Sequence, residues 1–482
     1  MRFTLPALIR RPSAVMAALA LLSCATNPVT GKSELALVSE SQEIAMGRDY
    51  AVQVKQETGV YPDSAVQAYV SRLGLGIAHT TERPSLPWAF TVMDDPQVNA
   101  FALPGGPIFV TRGLLTHMTS EAELATVIGH EIGHVTARHS VQQMTRQQLT
   151  QIGLMAGAIA SSKVADNLGL ISQVVGVLSL KYSRDDESQA DGLGFRYALT
   201  NGYDVRKMVD MFAVLQRISA TAGQRLPEWQ STHPDPGNRI EATQKRLAKV
   251  TVPLDGTIVN RDVFLRMIDG MIYGDNPRNG FFKDARFYQP DLAFSLDFPA
   301  GWRTINQAQS VMGGSPKQDA QVQLSLAGQE APSDLLKKFM AQQGLTPGQS
   351  GSTTINGLPA ASGSFTAQQE DGLQLAGRVA YLSYGGTTYQ LMGIGTAAGW
   401  PANDRAVQQF IGSFRRVTDP AVLNVKPNRV SVVKVGRATT LAEFNRQNPS
   451  VITIEELALI NGLADGNAAL AAGTSVKRVV AS

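Results

Sequence analysis

Cysteine is almost missing from this chain of 482 residues: Cys24 is its only one. No disulfide can close within one molecule, whatever the redox state of its compartment. Net charge is nearly missing too. The 43 Lys and Arg exceed the 40 Asp and Glu by three, and Arg2, Arg10 and Arg11 supply that excess. Beyond Cys24 the charges balance, so nothing electrostatic points to nucleic acid as a partner. Long apolar runs are lacking. "AVMAALALL" near the N-terminus, and the pieces of "IGLMAGAIASSKVADNLGLISQVVGVLSL" on either side of Lys163 and Asp166, fall short of the roughly 20 residues a spanning helix needs. The latter stretch is expected to form a buried helical hairpin or, failing that, a hydrophobic plate against a membrane or partner. Histidine is scarce, with six residues at 79, 117, 130, 134, 139 and 233. Any imidazole chemistry is therefore confined to one stretch. What remains, 17% charged and 43% hydrophobic, is a globular composition, and the length predicts two or three domains.

The N-terminus reads as an export signal over residues 1–23: arginines, an apolar run, then small residues. Its end, "LLSC", resembles a bacterial lipobox, which would make Cys24 a lipidated mature N-terminus. The competing reading is an ordinary cleaved signal beside an incidental cysteine. Ala25 after the cysteine favours the outer over the inner membrane, by the same resemblance. The expected location is thus the periplasm of a Gram-negative bacterium, with residues 24–40 as a lipidated polar tether. The residues around Arg10-Arg11 fit twin-arginine export poorly.

Residues 41–250 alternate helical patterns with one extended stretch, "FTVMDDPQVNAFALPGGPIFVTRGLL", strand-like at Phe90–Met93 and Ile108–Thr111. Residues 251–285 are rich in turn formers and read as a linker. Over 286–420, runs such as "LAFSLDFPAGW" and "GRVAYLSYGG" alternate, with helical patches between. That pattern predicts an α+β accessory domain for binding or spacing, since it contains no histidine or cysteine. Residues 428–482 read strand, helix, helix, strand and resemble a LysM module, a fold that binds cell-wall glycan. Peptidoglycan is accordingly a candidate partner, although "GRATTL" carries two residues more than such modules usually have.

The densest signal is "VIGHEIGHVTARHS". Ser120-x-x-Glu123 predicts a capping box and a helix start. At about 100° per residue, His130 and His134 then share a face with Glu131 beside them. Glu131 is a carboxylate on an apolar stripe, costly unless it has a task. Gly129 and Gly133 each cost about 1 kcal/mol of helix propensity, which close packing on a neighbouring helix would explain. His-Glu-x-x-His is the signature in which two imidazoles bind Zn²⁺ and the glutamate serves as general base. A catalytic zinc needs a third protein ligand. Glu187, in "SRDDESQADGLGFRYAL", is the candidate, with Asp191 one turn on to orient a ligand imidazole. Asp185 and Asp186 are nearby alternatives less favoured by spacing.

"NAFALPGG", "HEIGH", "ESQAD" and "THPDPGNRI" together resemble a family of zinc metalloproteases that includes the CAAX prenyl endopeptidases and the HtpX heat-shock proteases. "CATNPVTGKSELALVSESQEIAMG" is similar to the start of its periplasmic lipoprotein branch. The resemblance is dense over residues 24–250 and loose elsewhere. It implies one zinc per chain on His130, His134 and Glu187, with Glu131 as base and Asp191 behind a ligand. It also implies a mainly α protease domain with a small β-sheet over the active-site helix. The expected whole is multidomain: that domain, then the α+β domain, then the LysM-like module.

The chemistry so predicted is metalloendopeptidase hydrolysis. His233 is a candidate oxyanion donor with Arg239 as a neighbouring charge; it could equally plug the open metal position or be a structural loop residue. Substrate polypeptide is expected to add as a strand along Asn99, Ala100 and Phe101, a mode suited to unfolded or misassembled envelope proteins. His79, His117 and His139 are read as structural. Two further readings are a zinc-bound chaperone or assembly factor with gated proteolysis, and a cell-wall-binding protein.

Overall fold

The computed structural model describes residues 24–160, 182–221, 233, 236–369 and 372–482. The export signal at 1–23, and most of the apolar stretch between 152 and 180, lie outside the described residues. The chain divides into two compact units. The first comprises the described residues up to Lys55 with Val60–Met271 and Arg429–Val480; the second is chiefly Ile272–Asn428. Among the described residues no helix is long and apolar enough to cross a membrane.

The first unit opens with β1 (Cys24–Thr26) antiparallel to β2 (Ser33–Leu35). Helices α1 (Glu40–Thr58) and α2 (Ser64–Ala78) follow. Strands β3 (Ala89–Met93), β4 (Ala100–Ala102) and β5 (Pro107–Thr111) form a sheet in the order β3-β5-β4. β5 is parallel to β3 and antiparallel to β4, and all five of its residues are buried. β3 and β5 are the two strand-like runs of the extended stretch, and with β4 they form a small sheet of the kind the resemblance implies. Helices α3 (Arg112–His117) and α4 (Glu121–Thr136) come next, and every residue of α4 is buried. Ser120 caps α4 by accepting from Glu123 N. The Glu123 carboxylate, however, accepts from Thr119 N and Thr119 Oγ1, so the anticipated box closes on Thr119.

Then follow α5 (His139–Ala160), α6 (Arg184–Thr200), α7 (Lys207–Thr221), α8 (Pro236–Leu247) and α9 (Arg261–Ile268). α6 starts at a reciprocal cap between Ser183 and Asp186. The glycines of α4 meet α6 at close range. A Cβ on Gly129 would lie 3.0 Å from Gly194 O, and one on Gly133 would lie 3.1 Å from Leu193 Cβ. Gly194 reciprocates: its Cβ would stand 2.7 Å from His130 N. The propensity lost in α4 is thus offset by an approach that brings α6 alongside the histidines.

The unit is completed by β6 (Asn428–Lys434), α10 (Leu441–Gln447), α11 (Ile454–Ile460) and β7 (Ser475–Ala481), with β6 paired to β7. Lys477 of β7 is 0% exposed. Its ammonium donates to Thr116 O and Met118 O at the end of α3.

The second unit is sheet-rich. A seven-stranded antiparallel sheet is drawn from Arg303–Thr396, and a four-stranded one combines strands within Phe281–Asp297 with Arg415–Arg416. Burial alternates along Ala320–Gly328, as period-2 side chains require. Helices Pro332–Met340 and Trp400–Gly412 accompany the sheets, and Phe287, Phe294, Phe298, Phe410 and Phe414 lie in its core.

Candidate active site

Because α4 turns through 3.6 residues, His130 and His134 project together, and their Nε2 atoms are 3.0 Å apart. Glu187 reaches both from the first turn of α6: Oε2 is 3.5 Å from His130 Nε2 and Oε1 is 3.4 Å from His134 Nε2. His233 joins them. Its Nδ1 lies 2.9 and 3.1 Å from the two Glu187 oxygens and 3.4 Å from His130 Nε2. One ligand atom from each of these four buried residues falls within 4.8 Å of all the others. A tetrahedral metal with nitrogen and oxygen ligands at 2.0–2.1 Å separates its donors by about 3.3 Å. The donor set and its spacing fit such an ion.

Glu131 faces the same space. It is 0% exposed, and neither carboxylate oxygen has a hydrogen-bond partner among the described residues. His233 Nε2 is 3.7 Å from Oε1. Burial pushes the Glu131 carboxyl up, with His233 and His130 pulling part of that shift back. Burial also pushes on Glu187, but there His233 and His134 outweigh it and hold the carboxyl well below its usual range. The cluster therefore pairs one carboxylate that stays ionised with one ready to take a proton.

Behind the cluster, His130 Nδ1 stands 3.0 Å from Asp191 Oδ1. Donation from that nitrogen leaves the Nε2 lone pair directed at the other donors. Arg239 grips Asp191 with both arms, Nε to Oδ2 at 2.9 Å and Nη2 to Oδ1 at 2.6 Å. Burial would raise the Asp191 carboxyl, yet Arg239 and His130 hold it at about 2. Arg239 itself is 5% exposed, stacks over Phe212 at 4.3 Å and lies 3.4 Å from Glu187 Oε2. The structure thus places it against Glu187 and Asp191 of α6.

The other expected residues fall as follows. Asn99 precedes β4 and is buried; its backbone N–H donates to Thr111 Oγ1, and its side-chain Oδ1 has no hydrogen-bond partner among the described residues. Ala100 is fully buried, and Phe101 stacks on Phe109 at 5.1 Å. β4 is an edge strand, paired only with β5 among the described residues. Asp186 is occupied as the α6 cap and Asp185 is exposed. His117 bonds to Gly113 O through Nδ1 at 2.7 Å, and His79 caps α2.

Two neighbours of the cluster escaped sequence reasoning. His139, read as merely structural, sets its Nδ1 2.9 Å from Nδ1 of His134, while its Nε2 donates to Gln189 Oε1 at 3.0 Å. That donation leaves His139 Nδ1 as an acceptor for the proton of His134 Nδ1. Tyr182 stacks on the His134 ring at 3.9 Å and reaches Ser140 Oγ with its hydroxyl at 3.0 Å. The signal for His139 was hidden because Arg138 adopts φ 59° and turns the chain back after α4.

Imidazoles four apart on one helix, a carboxylate from a second and an unbonded glutamate between them make up a metallopeptidase type of site. Comparison with known proteins agrees. Residues 64–247 match Peptidase family M48. Over 227 residues it is 30% identical to the beta-barrel assembly-enhancing protease of Yersinia pestis, covering 45% of this chain and 46% of that protein. It is 31% identical over 228 residues to the mitochondrial metalloendopeptidase OMA1 of Arabidopsis thaliana, covering 47% and 45%. The human mitochondrial metalloendopeptidase OMA1 is 29% identical over 234 residues, covering 45% and 44%. The chain spans less than half the length of these relatives.

Proposed function

We propose that this chain is a zinc-dependent endopeptidase that hydrolyses unfolded or misassembled polypeptides of a bacterial envelope. The observation that carries the reading is the donor set: imidazole and carboxylate atoms 2.9–3.5 Å apart, beside the buried, unbonded Glu131. His130, His134 and Glu187 would hold the ion. When bound, zinc polarises the scissile carbonyl and acidifies the attacking water. Glu131 takes the water's proton and passes it to the leaving amine, and burial, which pushes its carboxyl up, favours its taking that proton. Asp191, clamped by Arg239, keeps His130 in the ligating tautomer. Substrate adds as a strand at the free edge of β4, where the buried Asn99 oxygen offers an acceptor.

His233 supports a refinement. With Nδ1 among the donors, it fills the corner that substrate needs and makes this a resting arrangement; its departure would open the site. The same observation favours the second reading, a zinc-bound chaperone or assembly factor with gated proteolysis. The envelope setting, with a lipid on Cys24 and an outer-membrane location, is supported by the N-terminal pattern and by the name of the Yersinia relative. Peptidoglycan as a partner of residues 428–482 is supported by the strand-helix-helix-strand order of β6, α10, α11 and β7.

Casein cleavage tests the reading. Glu131→Gln is expected to keep its metal and to cut more slowly by about 10²-fold or more. His233→Ala is expected to cut faster than wild type, and a slower rate would return His233 to oxyanion duty. Wild-type activity in Glu131→Gln would overturn the hydrolytic assignment.

A further inference from the structure

The N-terminal hairpin is stitched to the end of the active-site helix. Asn27 is 3% exposed. Its Oδ1 accepts from Val29 N and Thr30 N, while its Nδ2 donates to the Glu34 carboxylate and to Ala137 O. Gln142 of α5 bonds to Glu34 and Ala137 O as well. Leu37 N donates to Thr145 Oγ1 on α5, and Arg138 Nη2 donates to Val38 O. From Cys24 to Asn27 the chain advances about 3.4 Å per residue, and Ala137 follows His134 by three residues at about 1.5 Å each. Including the Asn27 side chain, Cys24 is no more than about 25 Å from His134.

Around this hairpin, apolar side chains face outward. Leu35, the cross-strand partner of Cys24, is 36% exposed. Leu37 is 37% exposed, and Leu149, one turn beyond Thr145 on α5, is 42% exposed. Lys32 is exposed on the hairpin, and Arg146 on α5 is exposed while pairing with Asp186 at 3.7 Å and donating to Gln142 Oε1 at 3.3 Å; Glu34 is engaged by Asn27 and Gln142. Leucines to insert and cations to meet anionic headgroups are what a surface lying on a bilayer requires. The sequence indicates the occupant: the apolar run of the export signal ends at Cys24, whose backbone pairs with that of Leu35, so a lipid attached at Cys24 would be tethered to this hairpin.

We propose that β1, β2 and the adjoining face of α5 rest on a phospholipid membrane, holding the metal centre close to the bilayer and restricting its substrates to polypeptide segments at the membrane surface. The proposal rests on the reading of Cys24 as a lipidated N-terminus. A hairpin bonded to α5 and to Ala137 leaves the anchor little slack, so the site cannot range freely through the surrounding space.

The test uses the mature chain with Cys24→Ser, which carries no lipid, and vesicles of phosphatidylethanolamine with phosphatidylglycerol. Cosedimentation is expected, weakened at least tenfold by Leu35→Ser, Leu37→Ser and Leu149→Ser together, with the melting temperature as a check on folding. An environment-sensitive probe on Leu37→Cys should shift to the blue on vesicles, and one on Asp255→Cys should not. Vesicle binding that ignores the leucines, or no binding, would overturn the proposal. So would a dimer dissolved by the triple substitution without vesicle binding, which would assign the face to a second copy of the chain. Palmitate labelling of Cys24 in cells is scored separately, so failure of the anchor is not mistaken for failure of the surface.

Discussion

Gly194→Ala adds one methyl group at the contact that delivers Glu187 to the histidines. Helix propensity alone predicts a gain of about 1 kcal/mol. The structure predicts a loss, because the new Cβ would stand 2.7 Å from His130 N, 3.0 Å from His130 Cα and 3.1 Å from Gly129 C. These are backbone atoms that cannot swing aside. Reaching an ordinary contact of about 3.4 Å requires α4 and α6 to part by about 0.7 Å. Overpacking of this kind costs about 1–3 kcal/mol, which leaves a net loss of about 1 kcal/mol and a melting point lower by about 2–4 °C. The same displacement would carry Glu187 from 3.4 and 3.5 Å to about 4.1 Å from the imidazole nitrogens, too far for a shared tetrahedral ion. Metal affinity should fall by about tenfold or more. Gly192→Ala is the control on the same helix. Its Cβ would meet only the Arg246 side chain, at 3.8 Å, so it should gain stability and bind metal normally. Thermal unfolding in chelator and competitive metal titration read both effects. A Gly194→Ala protein that melts above wild type and binds metal with wild-type affinity would refute the reasoning.

His139→Ala removes the acceptor on His134 Nδ1 and should weaken metal binding by about 10–100-fold with little change in secondary structure; competitive titration checks this. His117 is held down to about 4 by burial, with Lys477 adding to the effect against the bond to Gly113 O. Above pH 6.5 both states are neutral, and below it the unfolded chain takes a proton that the folded one refuses. Stability should therefore drop as pH falls from 6.5 toward 4, by about 3 kcal/mol at most, and urea unfolding of His117→Gln should show a shallower drop over that range. Chelation should lower the melting temperature, and zinc should restore it in a concentration-dependent way; no shift in either direction would count against a resident metal.

The parts of the site that were legible in the sequence are those whose geometry is local. Four residues along a helix bring His130 beside His134 regardless of what surrounds them, and Glu187 and Asp191 repeat the same spacing on α6. The glycines were legible as a cost without a local cause, and Gly194 on α6 supplies that cause. His139 failed this kind of reading. Five residues past His134, a continuing helix would turn it about 140° away. Instead Arg138 takes a left-handed conformation, usually left to glycine or asparagine at a helix end. Glu43 and Val38 hold it there, each about a hundred residues distant in the chain. No local pattern reports such a turn. Arg239 is similar: its place depends on Asp191 and Phe212, which meet it only in the folded unit.

Lys477 shows how far this tertiary logic extends. In "SVKRVV" it sits between Val476 and Arg478, and a free-standing module could leave its ammonium in water. Here it is fully buried, and burial brings it down to about 7 while Glu123 opposes the shift. A lysine is buried at that cost only where its donors are used, and two of them close on the carbonyls of Thr116 and Met118. Glu123 lies in the first turn of α4 and binds Thr119 just ahead of it. At the other end of the same helix, Asn27 binds Ala137. The active-site helix is therefore held near one end by the last strand of the chain and at the other by the N-terminal hairpin. Because α4 alone carries His130, Glu131 and His134, slackening either grip would move all three relative to Glu187. Segments far from the chemistry in sequence thus bear on its geometry.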